Sequence, residues 1–134
     1  MVAFLRLVVA CAVLFPSLAR AQLEGEVKDL NQIGFQQFKQ TSRIFVRTTE
    51  PVKYTIDSSR PNLVVLTLEN TRVPIINNTR FLDTHFFDSP IVFIQPKVIE
   101  GPSPSVRIEI RLRQKVPFAQ KQNDTVLALD FQRH

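Results

Sequence analysis

Residues 106–112 read Val106-Arg107-Ile108-Glu109-Ile110-Arg111-Leu112, the most regular alternation of apolar and charged residues in the chain. Because successive side chains of a β-strand point to opposite faces, this period of two predicts a strand with aliphatic residues on a core and charged residues in solvent. Most of its apolar residues are β-branched, which suits a half-buried sheet. The stretch therefore predicts a half-buried β-strand.

Similar runs lie on both sides of this stretch. Strand-like segments with alternating or buried apolar residues occur at 43–48, 52–56, 63–68 and 125–131. Turn signals rich in Pro, Gly, Asn, Asp and Ser separate them at 57–62, 77–78, 101–105 and 122–124. No segment carries a helical stripe of apolar residues of any length. The chain is therefore predicted to be all-β, as a sandwich of two small sheets.

The second half of the chain repeats the first. Residues 43–56 align with 107–120 without a gap, so that Arg43 matches Arg107 and Arg47 matches Arg111. After one deletion, residues 63–69 align with 126–132. The two units span about 27–70 and 90–133, each with a leading strand at 33–35 or 91–94. This predicts an internal duplication that forms two pseudo-symmetric, roughly four-stranded antiparallel sheets, with each half supplying one sheet and the two sheets facing each other across the core.

The first 21 residues predict a secretory signal peptide. Arg6 precedes an apolar run of nine residues, Pro16 ends the run, and Ala19-Arg20-Ala21 forms a small-x-small cleavage pattern before Gln22. The run is too short for a membrane anchor. A lipoprotein acylated at Cys11 is the less favoured alternative, because the apolar run continues past this residue. The pattern therefore predicts export of the chain.

Composition narrows the functional classes further. The predicted mature chain, residues 22–134, has no Cys, so disulfides and thiol chemistry are not available to it. It keeps 15 basic and 12 acidic residues, a net charge of +3. This net charge is too small for the dense basic face of a nucleic-acid-binding protein. We expect one domain over residues 22–134, no nucleic-acid partner and no membrane span after cleavage.

The order of elements resembles a known family. Arg47 and two threonines precede the segment Glu50-Pro51-Val52-Lys53-Tyr54. The next segment is Arg60-Pro61-Asn62-Leu63-Val64-Val65-Leu66, and the second half ends in an apolar strand. This arrangement resembles the AMIN domain, a periplasmic module of cell-wall amidases and type IV pilus secretins. The family usually has Asp-Pro-Arg before the strand, where this chain has Ser59-Arg60-Pro61-Asn62. The resemblance covers roughly residues 27–133.

The resemblance implies paired four-stranded sheets, a periplasmic location and peptidoglycan binding without catalysis. In the family, chemistry belongs to a downstream domain, and this sequence ends directly after its last strand. If the chain is complete, we expect a stand-alone binding module rather than an enzyme.

Residue types needed for catalysis are scarce. The predicted mature chain has only His85 and His134, and His85 stands between Asp83 and Asp88 in the connection between the repeats. A transition-metal site usually needs more histidines or thiolates, so the segment is interpreted as a loop. We therefore predict no metal and no cofactor. A small hydrolase that uses these three residues is the least favoured hypothesis.

The outward arginines are the main binding candidates. They are predicted on the solvent phase of the duplicated strands, spaced about 7 Å along each face, at Arg43, Arg47, Arg107, Arg111 and Arg113. Peptidoglycan stems carry carboxylates, which the planar guanidinium group binds in a bidentate manner. The alternative is that these residues are simply solvated, with Glu109 pairing across the strands.

Three aromatic residues, Phe86, Phe87 and Phe93, are candidates for a partner surface, although closing the end of the core is an alternative role. The sequence thus supports a peptidoglycan-binding module that positions a cell-envelope machine, such as a type IV pilus or a secretin. The alternative is an adaptor that docks on a secretin or pilus protein by strand addition or through Phe86–Phe93 and does not bind the wall.

Overall fold

Ten strands and one short 3-10 helix follow one another in the computed structural model, which describes residues 26–133. The elements are β1 (Lys28–Gln37), β2 (Thr41–Thr48), β3 (Tyr54–Arg60), β4 (Leu63–Leu68), β5 (Thr71–Arg72), the 3-10 helix (Ile76–Thr79), β6 (Leu82–Asp83), β7 (Ile91–Ile99), β8 (Ser105–Leu112), β9 (Phe118–Asn123) and β10 (Val126–Gln132). The predicted signal peptide (residues 1–21), its cleavage site and Cys11 lie outside the described residues.

Two five-stranded sheets form the layers of the structure. The first sheet has the order β5-β1-β2-β10-β9, and the second has the order β3-β4-β8-β7-β6. This confirms the predicted all-β sandwich. Four long strands in each sheet pair antiparallel, as predicted. Each sheet also has a two-residue fifth strand, and β5 pairs parallel with β1.

The predicted assignment of one sheet to each half is wrong. Each half contributes one hairpin to each sheet, so that β2 pairs with β10 in the first sheet and β4 pairs with β8 in the second. The reason lies in the connections. The β1–β2 and β3–β4 loops are short hairpin turns, whereas β2 and β3 are joined by residues 49–53, a longer segment with Pro51 that crosses between the layers. Residues 113–117 make the equivalent crossing in the second half.

The two halves are nevertheless alike in backbone detail. Loop hydrogen bonds recur at matching positions of the repeat. The bond from Thr48 N to Thr125 O corresponds to the bond from Leu112 N to Asn62 O. The bond from Thr49 N to Asp29 O corresponds to the bond from Arg113 N to Pro90 O. The bond from Glu69 N to Lys53 O corresponds to the bond from Gln132 N to Pro117 O. The gap-free alignment of the repeat therefore corresponds to real structural equivalence, with an offset of 64 residues from β2 to β8.

A single apolar cluster fills the space between the sheets. Its most deeply buried members come from the central strands of both sheets and include Ile44, Val46, Leu66, Leu68, Ile108, Ile110, Leu129 and Phe131. Tyr54 and Phe118, predicted on the inward phase, are partly buried and pack against this cluster. Val52, predicted as a strand residue, is buried in the crossing segment.

Gly34 permits a close packing contact on the outer face of the first sheet. It lies opposite Phe45 in the β1–β2 register. A Cβ atom at Gly34 would lie 2.2 Å from Cζ of Phe45, because the ring lies across the glycine. Glycine is therefore required here for space and not for an unusual backbone angle.

We expect Gly34→Ala to lower the free energy of unfolding by roughly 1–2 kcal/mol, because the ring of Phe45 must move away from the strand. Most of this penalty should disappear in a Phe45→Ala background, as measured by chemical denaturation in a double-mutant cycle. Equal penalties in both backgrounds would mean that the contact is not the cause.

Candidate functional site

The strand alternation places the predicted arginines on two opposite outer faces. Arg43 and Arg47 alternate with buried residues of β2, so they lie on the outer face of the first sheet. Arg107 and Arg111 do the same on β8 and lie on the outer face of the second sheet. The duplicated arginines therefore do not form one continuous surface.

Arg43 is already engaged within the protein. Its Nε and Nη2 donate to the two carboxylate oxygens of Asp130, at 2.6 and 3.0 Å. The guanidinium also lies over the ring of Phe38, 4.9 Å from its centroid. The hydrogen bonds from Arg43 lower the pKa of Asp130, and those to Asp130 raise the pKa of Arg43. Arg43 thus joins β2 of one half to β10 of the other.

Arg47 is more available. It is exposed, and its contact with a polar side chain is a long hydrogen bond of 3.4 Å to Oε1 of Gln32. Val126 lies opposite it on β10.

Arg107 occupies the position equivalent to Arg43 but has different neighbours. Thr67 stands where Asp130 stands in the other sheet, and Lys97 lies opposite on the other side. Asp57 is an acidic group in its surroundings. The pKa of Asp57 is lowered mainly by the hydrogen bond from the Ser59 N–H, with smaller contributions from Arg60 and Arg107.

Arg111 lies between two apolar neighbours, Leu63 on β4 and Phe93 on β7. Its side chain is exposed, and within residues 26–133 this side chain has neither an ion-pair nor a hydrogen-bond partner. It lines a cleft of about 610 Å³ on the outer face of the second sheet. This arrangement can bind an anionic group without first breaking an internal contact.

Arg113 has a structural contact instead of a free guanidinium. Its Nε donates to the carbonyl oxygen of Ser89 at 3.1 Å, and its Nη2 donates to the carbonyl oxygen of His85. The side chain therefore ties the end of β8 to the loop that precedes β7. Sequence position alone placed it with Arg107 and Arg111, although the strand ends at Leu112.

The three candidate phenylalanines have separate surroundings. Phe86 is 84% exposed and contacts the ring of His85. Phe87 is partly packed on Phe35, at 5.5 Å between ring centroids. Phe93 is half-buried and stacks on the ring of Phe81 at 5.0 Å, beside the cleft.

Asp83, His85 and Asp88 do not meet at one point. Oδ1 of Asp83 lies 2.5 Å from Nδ1 of His85, and this hydrogen bond lowers the pKa of Asp83. Asp88 is bonded to Arg133 instead, at 3.3 Å. In the described part of the chain, no three His, Cys, Asp or Glu residues are arranged to hold a metal ion.

Comparison with protein families identifies the fold and its general role. The family model of the AMIN domain matches residues 32–131. The chain belongs to the AMIN domain family. Neither a curated protein nor a solved structure matches the chain significantly. AMIN domains are non-catalytic periplasmic modules that bind or target peptidoglycan. Residues 26–133 of this AMIN domain include no helix with the length and apolarity to cross a bilayer.

Several residues around the cleft of this AMIN domain were not singled out from the sequence. Phe81 comes from the connection between the repeats, where no periodicity marks it. Gln95 and Lys97 alternate with buried residues along β7. This alternation indicates that both side chains lie on the outer face of the sheet.

We expect Asp130→Asn to reduce stability at neutral pH by about 1 kcal/mol, because Arg43 loses its charged partner. The folded-state pKa of Asp130 is lowered, so its contribution is complete above the pKa of an unfolded aspartate, about 3.9. The difference between wild type and variant should therefore shrink as the pH falls below about 4. Denaturant unfolding across pH measures this. Arg107→Gln is the matched control and should leave stability unchanged.

We expect Arg113→Gln to loosen residues 84–89 without unfolding the sandwich, because two carbonyl groups of this loop lose a charged donor. Amide hydrogen exchange should become faster in the loop and stay unchanged in β8 and β10. Arg111→Gln serves as the control, and equal exchange in wild type and Arg113→Gln would refute the anchoring role.

Proposed function

We propose that this AMIN domain protein is exported to the periplasm, binds peptidoglycan without catalysis, and positions a cell-envelope machine such as a type IV pilus or a secretin. The observation that carries the proposal is the family match over residues 32–131. The signal-peptide pattern of residues 1–21 supports the location.

Two exposed arginines supply a chemical basis for the binding. Arg47 and Arg111 occupy equivalent positions of the repeat, and both are exposed. Stem peptides of peptidoglycan carry carboxylates, and a guanidinium can donate two parallel hydrogen bonds to a carboxylate. Because exposed charges are screened by salt, binding through these residues should weaken as ionic strength rises.

Co-sedimentation with purified sacculi across a salt series tests this function. We expect the protein to pellet with intact sacculi at low salt and to be released at high salt. Joint replacement, Arg47→Gln with Arg111→Gln, should weaken binding. Lys53→Gln with Lys115→Gln is a control of equal charge change, because both lysines are exposed and lie in the crossing segments.

Two results would contradict the proposal in different ways. Failure of the wild-type protein to pellet at low salt would reject peptidoglycan binding. Wild-type binding by the double arginine variant would keep the function but remove these arginines from the site.

An adaptor that does not bind the wall is the second candidate. Its support is the exposed Phe86 together with β9, which forms one edge of the first sheet and pairs regularly with β10 over its whole length. A regular edge strand without a bulge can accept a strand from another protein. Crosslinking to a secretin or pilus protein, with no affinity for sacculi, would favour this function.

A further inference from the structure

The repeat makes the two outer faces equivalent in sequence position, but their side chains make them unequal. On the first sheet, Arg43 is neutralised by Asp130, and the ring of Phe45 covers Gly34. This face has a hollow of about 860 Å³ with Asp130 and Lys121 in its lining, and Arg47 is not among the residues that line it. The available arginine of this face is therefore not part of that hollow.

The outer face of the second sheet has a concave site at the equivalent position. Glu109 and Gln95 stand at the positions of Phe45 and Gly34, so this pair contributes no ring to the face. The resulting cleft of about 610 Å³ has Arg111 in its wall, and Phe93 contributes an apolar surface. The stacking of Phe81 on Phe93 holds this ring in place.

Of the lysine and arginine side chains that line the cleft, one has an acidic partner and one has none. Lys97 binds Glu109, with 3.0 Å between Nζ and Oε2, and Asp83 binds His85. Arg111 remains without an acidic partner in the described part of the chain. The cleft is therefore complementary to a ligand with one carboxylate beside an apolar or aliphatic segment.

A second hollow of about 570 Å³ adjoins the cleft and shares Arg111 with it. It is lined by Leu63 and Arg60, which belong to the β3–β4 hairpin. Arg111 thus stands between two depressions, and an extended ligand can lie on both sides of its guanidinium. An extended peptide chain fits this shape better than a compact anion.

We propose that this cleft is a ligand site of the module, and that Arg111 on the second sheet binds a free carboxylate of a peptidoglycan stem peptide. The inference rests on the proposed peptidoglycan binding and makes it specific. Uncharged sugar hydroxyl and acetamido groups cannot replace the missing acidic partner of Arg111. A carboxylate can, and the apolar neighbours Leu63 and Phe93 strengthen the attraction by excluding water.

The test uses the purified protein expressed from the 134-residue sequence. Binding is measured by titration calorimetry with three probes. They are a stem tetrapeptide with free carboxylates, the same peptide with its carboxylates amidated, and uncharged N-acetylglucosamine oligomers. We expect binding of the free acid, much weaker binding of the amide, and no binding of the oligomers.

Variants separate the two faces. Arg111→Gln should weaken binding of the free peptide roughly tenfold or more, because a charge-assisted hydrogen bond is lost. Arg47→Gln, at the equivalent position of the other face, should weaken binding by a smaller factor than Arg111→Gln does. Glu109→Gln should increase the affinity, because Lys97 is released to face the carboxylate. If Glu109 had only a structural role, its replacement would not raise the affinity for the peptide.

The results distinguish failure of this inference from failure of the proposed function. If wild-type protein binds sacculi but Arg111→Gln binds as well as wild type, or the oligomers bind and the peptide does not, the cleft is not the site. If neither sacculi nor any probe binds, peptidoglycan binding itself is rejected. Unchanged thermal midpoints of the variants verify that each remains folded.

Discussion

The pairing of strands between the two halves is the constraint on which the rest of the structure depends. In each sheet, the central contact joins a strand of one half to a strand of the other, β2 to β10 and β4 to β8. A half by itself would form two separate hairpins, and isolated hairpins are only marginally stable in water. The halves therefore complete each other's sheets, and each outer face is a composite of both.

Because each outer face combines strands of both halves, a pseudo-symmetric backbone can present two different surfaces. Inward residues share one core and must fill it together, so the two halves keep similar aliphatic side chains there. Outward residues have no such constraint. Asp130 and Thr67 occupy equivalent outward positions, and only Asp130 neutralises the arginine beside it. The duplicated arginines consequently differ in what they can bind.

One unpaired guanidinium in an open cleft gives modest affinity for a single carboxylate. If the module binds stem peptides as proposed, weak single contacts are sufficient, because many copies of the same peptide lie close together in the wall. A bound module that dissociates from one stem meets another nearby. Such weak, repeated contacts would suit the proposed role of holding a cell-envelope machine at the wall while it moves.

The sequence by itself determined the strand alternation, the internal repeat and the family resemblance, because all three are local or linear patterns. Residues 106–112 predicted their strand correctly, and the alignment of 43–56 with 107–120 matched equivalent backbone positions. Only the tertiary structure decided which hairpin enters which sheet, because alternation is the same whichever strand is the neighbour. That choice sets Asp130 beside Arg43 and apolar residues beside Arg111. Long-range neighbours thus decided which arginines are free, and linear spacing cannot encode that.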